Sequence, residues 1–159
     1  MGRKLLIAAM CLVTGLWITN TTSWAADPFV GTWKLNLSKS KYDPGPGPKS
    51  VTIKYEANGD GIKATTEGVN PEGQPIATHY TADYDGKDTP VTGTGAPYDM
   101  IALKRINASM VELTTKKDGK VVSKGKRVVS KDGKVMTVTT KGTNAKGEPT
   151  NNVAAYDKQ

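Results

Sequence analysis

The chain is poor in the residues that carry most chemistry. Its 159 residues hold one cysteine, one histidine and one phenylalanine. The cysteine, Cys11, sits in an N-terminal stretch that reads as a leader. Arg3 and Lys4 supply its charge, and Leu5 to Trp17 form an apolar run too short to span a bilayer comfortably. Ser23 and Ala25 place small residues where a signal peptidase needs them, so residues 1–25 are expected to be a cleaved signal peptide. Met10 stands before Cys11, where a lipoprotein would need a small residue. Cleavage would leave no thiol, which excludes disulfides, thiol catalysis and cysteine-held metal. Trp17 and Trp24 would leave too, making Trp33 the sole tryptophan of the expected domain, 26–159. His79 alone cannot build a histidine zinc site. No serine sits in a G-x-S-x-G elbow. The paired glycines Gly59/Gly61 and Gly93/Gly95 do not join a strand to a helix, so they make no phosphate cradle. An acidic run, Asp83 to Asp88, lacks the spacing of a calcium loop and reads as a turn. No enzymatic activity, cofactor or metal is expected.

Leucine is scarce beyond residue 25 (Leu35, Leu37, Leu103 and Leu113), and no segment repeats apolar residues at helical spacing. Thr and Val are frequent, and turn sequences recur at short intervals: Asn58-Gly59, Asn70-Pro71-Glu72-Gly73, Asp85-Gly86, Asp118-Gly119, Asp132-Gly133 and Asn144 to Gly147. Alternating runs between them predict about ten strands, at 29–37, 50–57, 61–68, 75–84, 88–92, 98–105, 109–117, 120–130, 134–141 and 149–157. The expected inward faces are Phe29, Gly31, Trp33, Leu35 and Leu37; Val51, Ile53, Tyr55 and Ala57; Ile76, Thr78, Tyr80, Ala82 and Tyr84; and Val111 with Leu113. The strands at 88–92 and 120–130 have no clear face. With no helix to cover it, such a meander must close on itself or fold over as a sandwich. Short turns favour a single antiparallel up-and-down β-barrel, an all-β fold. The one long connection, 38–50, carries three of the nine prolines, alternating with glycine. It is expected to be an extended strap across one barrel end.

Charge is the other positive feature. Arg3 and Lys4 fall within the leader, so 20 of the 22 basic residues face 15 acidic ones, a net of +5 against +7 for the whole chain. Lys116, Lys117, Lys120, Lys124, Lys126, Arg127, Lys131 and Lys134 crowd one stretch that holds only Asp118 and Asp132 in opposition. This surface suits a weak contact with anionic envelope material, or is a solvated outer face whose lysines blunt aggregation. Nucleic acid is not an expected partner, because no aromatic residues interleave with the basic ones.

The segment Phe29-Val30-Gly31-Thr32-Trp33-Lys34-Leu35 resembles the opening of calycin barrels, the lipocalins and fatty-acid-binding proteins. The end, Ala155-Tyr156-Asp157-Lys158, is similar to the closing strand of the fatty-acid-binding branch. The chain also resembles exported bacterial proteins with the same opening, which imply no function. The calycin likeness implies a barrel that starts at Gly31 and is plugged at one end by Trp33, with Gly31 allowing close approach. An arginine stacked on Trp33 would cap it, and Arg105 and Arg127 are the candidates. The likeness breaks elsewhere. The branch holds its ligand carboxylate with an Arg-x-Tyr; Tyr156 fits the tyrosine, but Ala154 stands in place of the arginine. The Pro-Gly strap cannot form the branch's helical portal.

Two functions stay open. The first is an exported barrel, periplasmic or secreted and monomeric, that binds a small apolar or amphipathic ligand. Tyr55, Tyr80, Tyr84, Ile53, Ile76 and Leu113 would line it, and Arg127, if inward, would meet an acidic group. The second is a non-catalytic envelope structural or interaction protein whose barrel is filled by its own side chains and whose role lies on its basic surface. An open interior favours the first and a packed one the second.

Overall fold

The computed structural model describes residues 26–159; the expected leader, with Cys11, Trp17 and Trp24, lies outside the described residues. Eleven strands follow one another: β1 (Gly31–Lys41), β2 (Ser50–Asn58), β3 (Gly61–Val69), β4 (Pro75–Asp83), β5 (Asp85–Pro90), β6 (Thr92–Thr94), β7 (Met100–Asn107), β8 (Met110–Lys117), β9 (Lys120–Val129), β10 (Val135–Thr143) and β11 (Pro149–Lys158). They form one sheet, ordered β5-β7-β8-β9-β10-β11-β1-β2-β3-β4-β6, with every pair antiparallel. The sheet curls until β4 lies against β5 and β7, giving a nearly closed up-and-down barrel. The turns explain the meander. Asp118 and Gly119 both take positive φ, the conformation of a tight two-residue hairpin. Asn70 and Asn144 cap matching wider turns, their side chains accepting from the Gln74 and Glu148 amides at 2.7 and 3.0 Å.

Two strand bounds and two inward-facing residues are corrected. The strand expected at 88–92 is two strands on opposite sides of the seam. The β5–β7 register runs through Pro90 to Val91, whose amide bonds the Asp99 carbonyl at 2.8 Å, and the chain crosses there. β6 then pairs with β4. The first strand runs to Lys41 instead of stopping at Leu37, because it bulges. Its register on β11 jumps from Asn36↔Ala155 to Lys41↔Val153. Ser40 Oγ holds the bulge, donating to the Asn36 carbonyl at 2.7 Å and accepting from the Ala155 amide at 3.0 Å. Leu37, expected inward, is swung out and 50% exposed. Ala57, also expected inward, is exposed near the end of β2.

The strap therefore begins at Tyr42. It is pinned to β11: the Asp43 amide donates to Asn152 Oδ1 at 3.1 Å, and the Asp43 carbonyl accepts from the Asn151 amide at 2.7 Å.

One barrel end is filled. Phe29, Trp33, Ile62, Leu103, Val111 and Met136 pack there with no solvent exposure. Trp33 Nε1 donates to the Phe29 carbonyl at 2.7 Å, so the indole buries its ring without losing its hydrogen bond. That ring's burial stabilises the fold by about 3 kcal/mol. Neither Arg105 nor Arg127 caps it. Lys158 does, its Nζ 5.0 Å from the ring centroid. Register explains the choice, since Trp33 pairs directly with Lys158 across β1 and β11. Gly31 makes room: a Cβ there would come within 2.7 Å of Lys158 Cε, and its φ of 134° suits glycine. Arg105 instead lies 3.8 Å over the Tyr84 ring and pairs with Asp27, tying the N-terminal arm to the barrel floor.

Candidate functional site

The other half of the barrel is hollow. A cavity of about 600 Å³ opens toward the end that holds the strap and the β8–β9 and β10–β11 turns. A self-filled interior is thereby contradicted for this half. Near the filled end the cavity is lined by Ile53, Tyr55, Leu113, Arg127, Val138 and Tyr156. Pro97, Tyr98, Lys117, Thr143, Asn144 and Ala145 surround its mouth.

Arg127 comes inward from β9, paired with Val111 on β8 and Val138 on β10. Only 5% of it is exposed. Its Nη2 donates to the Tyr80 hydroxyl at 3.3 Å, and its guanidinium carbon lies 4.8 Å from the Tyr55 ring centroid. Nε and Nη1 have no partner. No aspartate or glutamate lines the cavity among the described residues. Burial works against the cation, but a guanidinium is too basic to lose its proton in a protein, and the Tyr80 hydroxyl accepts one of its hydrogen bonds. Arg127 is therefore a permanent buried cation with unused donors.

The tyrosines cannot neutralise it. Burial pushes Tyr55 and Tyr156 well above the ordinary phenol range, and burial, with Tyr80 nearby, pushes Tyr98 up to about 12. All three stay protonated at neutral pH and present hydroxyls on aromatic walls.

A bulge in β9 adds polar lining. Thr115 pairs with Ser123, but Lys116 pairs with Val121, so one residue is extra. Val121 is exposed, while Val122 and Ser123, neighbours in sequence, both face the cavity. This bulge is why β9 shows no clean alternation. Farther along, Gly125 stands between Leu113 and Thr140 on the inner wall, where a Cβ would collide with the Thr139 carbonyl oxygen.

Of the seven residues expected to line a site, Ile53, Tyr55, Leu113 and Arg127 line the cavity. Tyr80 does not, but holds Arg127 from behind. Tyr84 belongs to the filled end beneath Arg105, and Ile76 is partly buried away from the cavity. Tyr98, Ile101, Thr115, Val138, Thr140 and Asn152 line it without having been expected. The period of β10 and β11 would have placed Val138, Thr140 and Asn152 inward; Tyr98, expected to open the strand at 98–105, instead precedes β7 and lies outside its period. His79 is exposed on β4, and the Asp85 carboxylate is taken by Lys87 at 2.8 Å.

Ala154, where the fatty-acid-binding pattern has arginine, does face inward. It pairs with Val138, which pairs with Arg127. A cation thus occupies the same cross-strand row, supplied by a strand two places away.

No protein-family model matches the chain, and no curated protein sequence does. Among solved structures, zebrafish ileal bile-acid-binding protein complexed with cholic acid is similar at a TM-score of 0.51 and 14% identity, covering 83% of this chain and 99% of that one. A redesigned β-barrel bound to DFHBI is similar at a TM-score of 0.41 and 14% identity, covering 84% of this chain and 98% of that one. The first likeness is one of fold alone, an antiparallel up-and-down β-barrel.

Proposed function

We propose that this protein is an exported binder, periplasmic or secreted, of a small amphipathic molecule that carries an acidic group. The observation that supports it is Arg127: a buried guanidinium with two unpaired nitrogens beside an acid-free cavity of about 600 Å³. A buried charge without a partner is costly, and barrels have no packing need for one. An entering carboxylate, sulfonate or phosphate would supply the missing acceptors and form charge-assisted hydrogen bonds. Tyr55, Ile53, Leu113 and Val138 would cover its apolar body. The reading is one of binding: the cavity offers neutral hydroxyls and a fixed cation, and no histidine or carboxylate lines it among the described residues.

Displacement of anilinonaphthalene sulfonate tests this. Dodecanoate is expected to bind at least about 30-fold more tightly than dodecanol or dodecyltrimethylammonium, because only the acid pairs with Arg127. Arg127→Met is expected to erase the difference. Equal binding of acid and alcohol by the unaltered protein, or no binding of any acid, rejects the proposal.

A further inference from the structure

Resting on that acid-binding reading, we infer that the ligand is bipolar: an acid at one end and a neutral hydrogen-bonding group, a hydroxyl or amide, at the other. The inward rows of β8 to β11 carry the inference. The row at Arg127 is Val111, Arg127, Val138 and Ala154 in direct register. The next row toward the mouth is Leu113, Gly125, Thr140 and Asn152, and the one after it Thr115, Ser123, Gly142 and Thr150. Within two rows this wall passes from aliphatic to neutral polar.

These polar groups keep capacity for a ligand. Thr115 Oγ1 and Ser123 Oγ bond each other at 2.7 Å, so one hydroxyl proton of the pair remains to be given. Asn152 Oδ1 accepts from the Asp43 amide, which leaves the Asn152 amide nitrogen to donate. No carboxylate lies in either row, and Lys117 at the mouth is already paired with Asp99 at 3.4 Å. The far group is therefore neutral, not a second acid or a base. Ile53 and Ile101 keep other parts of the lining apolar, so the ligand also needs an apolar surface. Arg127 and Ser123 are four residues apart along β9, roughly 13 Å of strand, which sets the spacing of the two ends.

A plain alkyl tail would strip water from Thr115, Ser123, Thr140 and Asn152 and return nothing. A tail that ends in a hydroxyl would exchange hydrogen bonds with them. The test compares dodecanoate with ω-hydroxydodecanoate by displacement of anilinonaphthalene sulfonate from the purified protein. The hydroxy acid is expected to bind about tenfold more tightly. In the Ser123→Ala, Thr140→Val double variant the ratio is expected to fall to about one. Equal or tighter binding of dodecanoate by the unaltered protein overturns the bipolar ligand and leaves the acid site standing. Failure of both acids to displace the probe overturns the two together.

Discussion

Arg127 sets stability against binding. The cation has one hydrogen bond, to Tyr80, and one aromatic face, Tyr55, to offset its desolvation. Replacing a buried charge by an apolar side chain of similar length is often neutral or stabilising by about 1–4 kcal/mol. Removing the Tyr80 and Tyr55 contacts costs about 1–2 kcal/mol in the other direction. Arg127→Met is therefore expected to unfold at the same or a higher denaturant concentration, by about 1 kcal/mol, with an unchanged m-value. A loss of about 3–5 kcal/mol would instead mark Arg127 as part of the structural core. Trp33 works the other way: its one polar atom is bonded, its ring is fully covered, and nothing about it is left for a ligand. Sequence points to Trp33 through the Gly-x-Trp opening of the first strand, and to Arg127 only as a charge that would meet an acid if it faced inward. It could not name the partner of Trp33, because Lys158 is joined to it only by the register of the first and last strands.

Strands β2, β4 and β8 are legible from alternation because their outer faces are polar and their inner faces mostly apolar. β1, β5, β6 and β9 are not, for physical reasons visible in each. A bulge breaks the period of β1 at Asn36 and of β9 at Val121, and the chain changes sides of the seam at Val91 in mid-run. The polar part of the site was hidden by a different cause. Inward means apolar only where the interior is filled; where it is hollow, Thr115, Thr140 and Asn152 can face inward and still read as surface residues. The outer face of the same strands carries its own tension. Lys124 and Lys141 stand directly opposite each other across β9 and β10, both exposed, while Lys126 next along faces Glu112 on β8. Like charges so placed repel. Lys141→Glu is expected to stabilise the sheet by about 0.5–1 kcal/mol in low salt, with the gain shrinking as salt is added. If this face also docks on anionic envelope material, the same change should weaken retention on phosphatidylglycerol vesicles. Unchanged retention removes that role from the outer sheet.

The whole molecule divides its interior between two tasks. The end packed by Phe29, Trp33, Leu103 and Met136 holds the barrel together, and the hollow end leaves aromatic hydroxyls and a cation facing an open space. That division predicts how stability depends on pH. Tyr55, Tyr84, Tyr98 and Tyr156 all have pKa values raised by burial, Tyr98 to about 12. An unfolded tyrosine titrates near pH 10. Between that value and the folded one, the unfolded state loses protons that the folded state keeps, so stability falls as pH rises. Below about pH 10 both states are protonated and the contribution is fully present. The denaturation midpoint is therefore expected to stay level on the alkaline side up to about pH 9 and to drop steeply above about pH 10. Tyrosinate absorbance in the folded protein should lag behind that of free tyrosine, and Tyr98→Phe should make the drop shallower. Arg127 remains charged throughout, so affinity for an acidic ligand should follow the ligand's own ionisation until the barrel opens. Chemical denaturation across this range, read beside the absorbance titration, checks the account. A drop that begins near pH 8, before any tyrosine ionises, would assign the alkaline limit to groups outside this interior.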